Sequence, residues 1–388
     1  MTTRYPLQPL TPRRLGHNPT GIVLSVERKK EIYAVCSKYD VIIVEDEPYW
    51  YLQFPSAATE EAKSRGQPAP PQKQPPYTPR RSSGYPFLDS LTPSFLALDT
   101  DGRVVRLDTF SKTVAPGCRL GWITAQPAIA ERFQRINEAT TQQPSGFVQG
   151  LISELVLGPH HQQSQKQQEA RSAFARLLTP SQKAAFTGWD MTGWVRWLEG
   201  LRGTYERRMA RMCRILDQGS SLISSRSSSS SQWTTVSRTP LFTYSWPRGG
   251  MFIWLAVNLP SHPLYLTPGS DPSSKIPVLN GPVLSTALMI FLTQKPFKVL
   301  AVTGSMFSAD DKIREEEGWR YYRLCFAAEA EENIEKGAER FVQGVHAFWG
   351  VRDARVVERL LEDVNGQGGV EGMEVGDDVL SLGGIMGC

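Results

Sequence analysis

Apolar positions along the chain follow two rhythms. In residues 25–36, Ile32, Val35 and Cys36 recur at helical spacing. Ser25 stands where it can cap that helix, and Arg28, rather than an acid, occupies the third position after it, so no full capping box forms. After Asp40 the pattern becomes continuous: Val41-Ile42-Ile43-Val44 runs into Glu45-Asp46. Such a run predicts a strand buried on both faces of a parallel sheet, and helix followed by buried strand is an α/β signature. Residues 103–107 predict a short strand rich in β-branched residues. Helices are expected from Pro127 until the break at 140–144, again through 147–152, and from 194 to 216, where the many arginines form a solvated face. Later the pattern predicts strands at 242–247, 250–255, 298–304 and 321–327, and helices at 283–292 and 328–349.

Between these elements the composition changes. Residues 1–15 are rich in Pro, Thr and Arg and read as an extended arm. Residues 56–86, with many Pro, Gln, Ser, Lys and Arg, read as a flexible insertion, because they bury too little apolar surface to offset ordering. Residues 159–190 are Gln-rich, 220–231 form a serine-rich loop, and 350–388 form a Gly-rich tail without a core role.

The whole chain has 388 residues, 40% hydrophobic and 21% charged, which is ordinary for a globular protein. A net charge of +4 gives no argument for nucleic acid. The five cysteines are scattered without a C-x-x-C pair, which favours a reduced intracellular protein over a disulfide framework or a metal site. No apolar leader and no run of membrane-spanning length is visible, so the cytoplasm is the expected location, with no membrane partner.

The chemistry concentrates in residues 108–122. The strand at 103–107 ends in the hydroxyls of Thr109 and Ser111, then offers Lys112 on a loop, with Arg119 seven residues later. Ligands collect at the carboxyl ends of strands in α/β sheets. A lysine there suits a Schiff base with an aldehyde cofactor, and hydroxyls with an arginine suit its phosphate. The plainer reading is a solvated lysine and a surface arginine. On period two, Asp46 shares a face with Ile42 and Val44 while Glu45 and Glu47 point the other way. That makes Asp46 the expected buried carboxylate, able to pair with a pyridinium nitrogen, with Tyr49 three residues on as a donor to the ring oxygen. A cap carboxylate and a core tyrosine are the alternative. Asn18, in Asn18-Pro19-Thr20-Gly21, is either part of a turn or a ligand of that oxygen. Arg323 interrupts an apolar and aromatic strand; a buried charge needs a partner, either a substrate carboxylate or a structural acid.

These residues stand in a fixed order: Asn18-Pro19-Thr20-Gly21, Asp46-x-x-Tyr49, Ser111-Lys112 with Arg119, Gly249-Gly250-Met251-Phe252, then Arg323. The order resembles the class I pyridoxal-phosphate aminotransferases of fold type I, and within them the fungal aromatic amino acid and 2-aminoadipate subgroup. The stretches 98–112, 115–122 and 194–203 carry the closer likeness, which spans most of 16–349. The resemblance implies an α/β fold: a partial large domain over 16–215 with a mostly parallel sheet, and a small α/β C-terminal domain over 216–349. It implies a homodimer that binds pyridoxal 5'-phosphate and moves the amino group of an aromatic amino acid, or of 2-aminoadipate, to a 2-oxo acid. Lys112 would hold the cofactor as a Schiff base and move the proton at Cα. Asp46 would pair with the pyridinium, Asn18 and Tyr49 would contact the ring oxygen, Thr109, Ser111 and Arg119 would bind the phosphate, and Arg323 the substrate carboxylate. Gly249 and Gly250 would lie where the small domain approaches the site. The family carries an N-terminal third ahead of the Asn-Pro-Thr-Gly motif, including a phosphate-binding loop, which is not seen in residues 1–15. The expectation is therefore a truncated form, and the alternative function is a catalytically inactive remnant. A transcription regulator's effector domain is disfavoured, since no helix-turn-helix or basic segment precedes Asn18. Decarboxylases or lyases of the same fold could share Lys112 and Asp46, but Arg323 tilts the reading toward transamination.

Overall fold

The computed structural model describes residues 17–71, 82–157, 191–227, 234–265 and 279–367. The chain forms two compact units that alternate in sequence. Among the described residues, the first takes 24–53, 82–157 and 191–204, and the second takes 17–23, 54–71 and 205–367.

The first unit opens with the helix Val26–Lys38, whose N-cap Ser25 accepts the Arg28 N–H through Oγ at 3.2 Å. It feeds strand β1 (Ile43–Asp46), which pairs in parallel with β2 (Val104–Thr109); β2 pairs antiparallel with β3 (Gly121–Thr124). The expected mostly parallel sheet is thus a mixed one, in the order β1-β2-β3. The cause is chain length: residues 110–120 between β2 and β3 are too few for the crossover that parallel neighbours need. Gly121 is required here, since a Cβ would lie 2.6 Å from the Asp108 carbonyl oxygen.

This unit buries charge as well as apolar surface. The ammonium of Lys29, which the sequence places in a charged helix face, is only 1% exposed. It donates to the Pro93 carbonyl at 2.6 Å and lies 3.5 Å from Glu45 Oε1, which accepts the Phe95 N–H at 2.8 Å. Burial lowers the Lys29 pKa, and the Glu45 and Glu47 charges oppose that shift. Beside it, Arg106 grips Asp108 through two hydrogen bonds of 2.8 and 2.7 Å and lies over the Trp50 ring. Not all apolar surface is covered. The helix Pro127–Ala139 buries no residue, the helix Gly146–Leu157 buries only Ile152, and Phe147 is 81% exposed.

The second unit contains a two-stranded ribbon, β4 (Ser221–Ser227) with β5 (Thr234–Pro240), and an antiparallel sheet in the order β6-β7-β9-β8. Its strands are β6 (Phe242–Tyr244), β7 (Phe252–Val257), β8 (Val302–Thr303) and β9 (Tyr321–Cys325). Ile253, Leu255, Tyr322 and Leu324 enter the core with residues of the helices Gly281–Thr293, Glu331–Trp349 and Ala354–Gln367. The alternate residues Phe252, Trp254, Tyr321 and Arg323 share the other face.

Several expectations change. The insertion expected at 56–86 contains the helix Ala57–Ser64, because Ala57 and Ala62 are buried and Glu61 accepts the Trp246 N–H. The serine-rich loop at 220–231 is strand over Ser221–Ser227, since a ladder uses backbone groups that composition does not report. The tail at 350–388 begins with the helix Ala354–Gln367, whose Ala354, Val357 and Leu360 are buried at helical spacing. The strand at 298–304 shrinks to Val302–Thr303. The division between units falls within the helix Thr192–Gly219, after Thr204, rather than at 215, and the segments at 17–23 and 54–71 join the second unit. The arm at 1–15, residues 159–190 and the end of the tail lie outside the described residues.

Candidate functional site

In the first unit the carboxyl ends of β1 and β2 lie side by side: Asp46 is registered with Leu107, and the Glu47 N–H donates to the Leu107 carbonyl at 2.9 Å. The turn that carries Tyr49 and the loop that carries Lys112 therefore leave the same sheet edge. Tyr49 is buried. Asp46 is half-buried, whereas Glu45 and Glu47 are 2% and 3% exposed, so the expectation that Asp46 is the buried carboxylate is corrected. The strand alternation was read correctly; the face of Glu45 is the covered one, because Lys29 supplies a cation there.

Lys112 is half-buried in a turn tied by the Thr113 and Val114 N–H groups, both donating to the Phe110 carbonyl. The Thr109 and Ser111 hydroxyl oxygens lie 2.9 Å apart, and the Ser111 N–H donates to Thr109 Oγ1 at 3.1 Å. Arg119 is exposed, with a left-handed backbone (φ 45) uncommon for a side chain of its size, and donates to the Pro116 carbonyl at 3.1 Å. The Phe110 N–H to Leu120 carbonyl bond closes the loop, and the Trp197 indole donates to the Thr113 carbonyl at 2.8 Å.

In the second unit the Asn-Pro-Thr-Gly turn closes through the Gly21 N–H donating to the His17 carbonyl at 2.7 Å. Gly21 has φ +65, and a Cβ there would lie 2.5 Å from Pro247 Cβ. The Arg323 Nη1 donates to Asn18 Oδ1 at 2.9 Å. Its guanidinium, 5% exposed, lies 4.2 Å from the Phe252 ring centroid and 4.8 Å from that of Phe307. Two ring faces and an amide oxygen orient a planar fork whose geometry matches a carboxylate.

The structure therefore brings the predicted residues together in two sets: Asp46, Tyr49, Thr109, Ser111, Lys112 and Arg119 on the first unit, Asn18 and Arg323 on the second. Sequence reasoning assigned Asn18 to a cofactor oxygen and missed its bond to Arg323, since the two lie 305 residues apart. It also missed Phe307, for which the sequence carries no signal.

Residues 16–193 match the family model for aminotransferase class I and II. An L-tyrosine:2-oxoglutarate aminotransferase of Tapinella panuoides is 30% identical over 87% of this chain and 58% of its own length. An aromatic amino acid aminotransferase of Schizosaccharomyces pombe is 30% identical over 84% of this chain and 53% of its own. The structure of the aminotransferase Aro8 from Candida albicans aligns with a TM-score of 0.58 and 28% identity, covering 90% of this chain and 59% of that one. The fold is that of the fold type I aminotransferases, an α/β architecture with mixed sheets. The chain spans little more than half the length of the curated relatives it matches.

Proposed function

We propose that the protein is a pyridoxal 5'-phosphate aminotransferase that exchanges an amino group between an aromatic amino acid, or 2-aminoadipate, and a 2-oxo acid. The first unit is read as part of a large cofactor domain, the second as a small substrate domain. The observation that carries the reading is the parallel register of β1 and β2, which sets Asp46 and the Lys112 turn on one strand edge. The residues present suit the group. The paired hydroxyls of Thr109 and Ser111, with the exposed Arg119, offer donors to a phosphate. Asp46 lies on the strand face away from the Lys29 and Arg106 cluster, where it would pair with a pyridinium, with Tyr49 three residues on. Bound there, pyridoxal phosphate supplies an electron sink for loss of the substrate's α-proton. Lys112 would hold the cofactor and then carry that proton, Asn18 would use its amide N–H toward the ring oxygen, and Arg323 would orient the substrate through its α-carboxylate.

No helix among the described residues is long and apolar enough to cross a membrane; a cytoplasmic location is part of the proposal. So is a homodimer, supported by the bare apolar side chains Phe147, Leu151 and Ile136. The same bare surface favours a second reading, a non-catalytic relative of such enzymes. One experiment separates them: titration of the full chain with pyridoxal phosphate, borohydride reduction and peptide mapping. Visible absorbance with the adduct on Lys112, lost in Lys112→Ala, supports the enzyme. Unchanged absorbance in that variant overturns the assignment of Lys112, and absence of any cofactor binding favours the non-catalytic relative.

A further inference from the structure

A nearly buried carboxylate, Glu61, holds the segment of Trp246 to Arg248 that packs on the turn of Asn18. Glu61, 9% exposed, accepts the Trp246 N–H through Oε1 at 3.0 Å and Arg248 Nη2 through Oε2 at 2.5 Å. Arg65 adds a second cation at 2.7 Å from Oε1. Arg248 in turn uses both of its backbone groups. Its N–H donates to the Gly21 carbonyl at 2.9 Å, and its carbonyl accepts the Phe54 N–H at 2.8 Å.

We propose that Glu61 is a positioning residue for the carboxylate grip of Arg323, acting through Arg248 on the turn that presents Asn18. This rests on the reading of Arg323 as the substrate carboxylate's partner. Gly21 has no slack against this segment: a Cβ at Gly21 would sit 2.5 Å from Pro247 Cβ and 3.1 Å from the Phe252 carbonyl oxygen. Asn18 lies in the same closed turn, and Phe252 carries the ring under the guanidinium. Asn18 and Phe252, which meet Arg323, are therefore placed against the segment that Glu61 holds. Asp217 anchors the same segment through a second contact, accepting the Trp246 indole N–H at 3.0 Å and the Ser64 hydroxyl at 2.7 Å, and it shares Arg65 with Glu61, accepting its guanidinium at 3.0 Å. Altering Glu61 thus leaves the Trp246 anchor in place and loosens the Arg248 end. Glu61→Gln keeps an acceptor for the Trp246 N–H and removes the charge facing Arg248; Glu61→Ala removes both.

The test uses the full chain with pyridoxal phosphate added, titrated calorimetrically with 3-phenylpropionate, an unreactive aromatic carboxylate. Glu61→Gln is expected to weaken its binding by about 5-fold and Glu61→Ala by about 20-fold, with cofactor affinity altered less than about 2-fold. Arg248→Gln should match Glu61→Gln, and the double variant should be no worse than either single one. Carboxylate affinity unchanged in both Glu61 variants overturns the proposal. So does a loss matched by an equal loss of cofactor affinity, which marks general loosening. Hydrogen exchange reads the tether without any ligand: the Gly21 and Arg248 amides should exchange at least about 10-fold faster in Glu61→Ala. Unchanged exchange overturns the proposal whatever the titration gives. A wild-type chain that binds neither cofactor nor carboxylate sinks the functional reading, while exchange still decides the tether.

Discussion

Gly21 and Gly66 make a matched pair for testing how tightly the Asn18 turn is packed. Their backbone angles are nearly the same, φ +65 and +63, yet a Cβ on Gly66 meets nothing within 4 Å, while one on Gly21 meets Pro247 Cβ at 2.5 Å. Alanine at either position carries the cost of a left-handed backbone, about 1–2 kcal/mol, partly offset by about 0.4–1 kcal/mol from a less mobile unfolded chain. Gly66→Ala should therefore destabilise by no more than about 1.6 kcal/mol. Gly21→Ala adds an overlap that no rotamer relieves, because both atoms lie close to the backbone; relief by shifting the turn or Pro247 costs about 1–3 kcal/mol more. Urea unfolding of the two variants, followed by tryptophan fluorescence, gives the difference directly and cancels the shared backbone contribution. The turn that shifts also carries Asn18, so Gly21→Ala should weaken 3-phenylpropionate binding while Gly66→Ala leaves it unchanged. A stability difference under about 0.5 kcal/mol would show that the turn yields freely, and the argument that it fixes Asn18 would fail.

Two further predictions concern buried titratable groups. His262 is 2% exposed; its Nε2–H donates to the Phe348 carbonyl at 2.9 Å and its Nδ1 accepts the Leu264 N–H at 3.1 Å, an arrangement that only the neutral ring satisfies. Burial pushes its pKa below 6.5, so the unfolded chain takes up the proton first: stability is complete above that pH and falls as pH drops below it, by at most about 1.4 kcal/mol per unit. Urea midpoints between pH 5 and 8 should show this fall in the wild type and lose it in His262→Gln; a curve that is flat in both would refute it. Lys29→Met should destabilise by about 3 kcal/mol, because Glu45 stays buried without its cation, and Glu45→Gln in the same chain should restore part of that loss. No restoration would mean that the lysine contributes through packing alone.

Much of the frame was legible because periodicity reports burial. The helix capped by Ser25 and the strands β1, β7 and β9 follow from spacing, although β1 is fully buried only on the face of Ile43 and Glu45. The gathering of a lysine, hydroxyls and an acid at the carboxyl ends of β1 and β2 was legible for a related reason: they stood at or just past strand ends, where ligands gather. Charge burial was legible at Arg323, which interrupts an apolar strand, but not at Lys29 or Glu61. Lys29 sits among Arg28 and Lys30, and nothing in that run separates the ammonium that meets Pro93 and Glu45 from its solvated neighbours. Glu61 was hidden in a stretch whose many prolines dominate its composition, although its contacts with Trp246 and Arg248 span more than 180 residues. The Ser-rich strand and the last helix failed for the same cause: composition averages over a window, whereas a ladder or a buried stripe needs only particular positions.

The two sets of candidate residues share a feature that the fold alone does not require. Buried ion pairs contribute little net stability, since desolvation offsets much of their attraction. Yet each set is backed by such carboxylate–cation contacts, buried in the first unit and with more exposed cations in the second. In the first unit Lys29 with Glu45, and Arg106 with Asp108, fix β1 and β2 on the face opposite Asp46, one strand step from the groups proposed to meet the cofactor. In the second, Glu61 and Asp217 hold the segment against which Asn18 and Phe252 meet Arg323. What such pairs add over apolar packing is direction, because a bidentate or two-sided carboxylate accepts its partners along few geometries. If that is their use here, replacing the Arg106–Asp108 pair with apolar residues of similar volume should leave the urea midpoint nearly unchanged while lowering pyridoxal phosphate affinity. Equal loss of both would mean that the pair serves the fold and not the site.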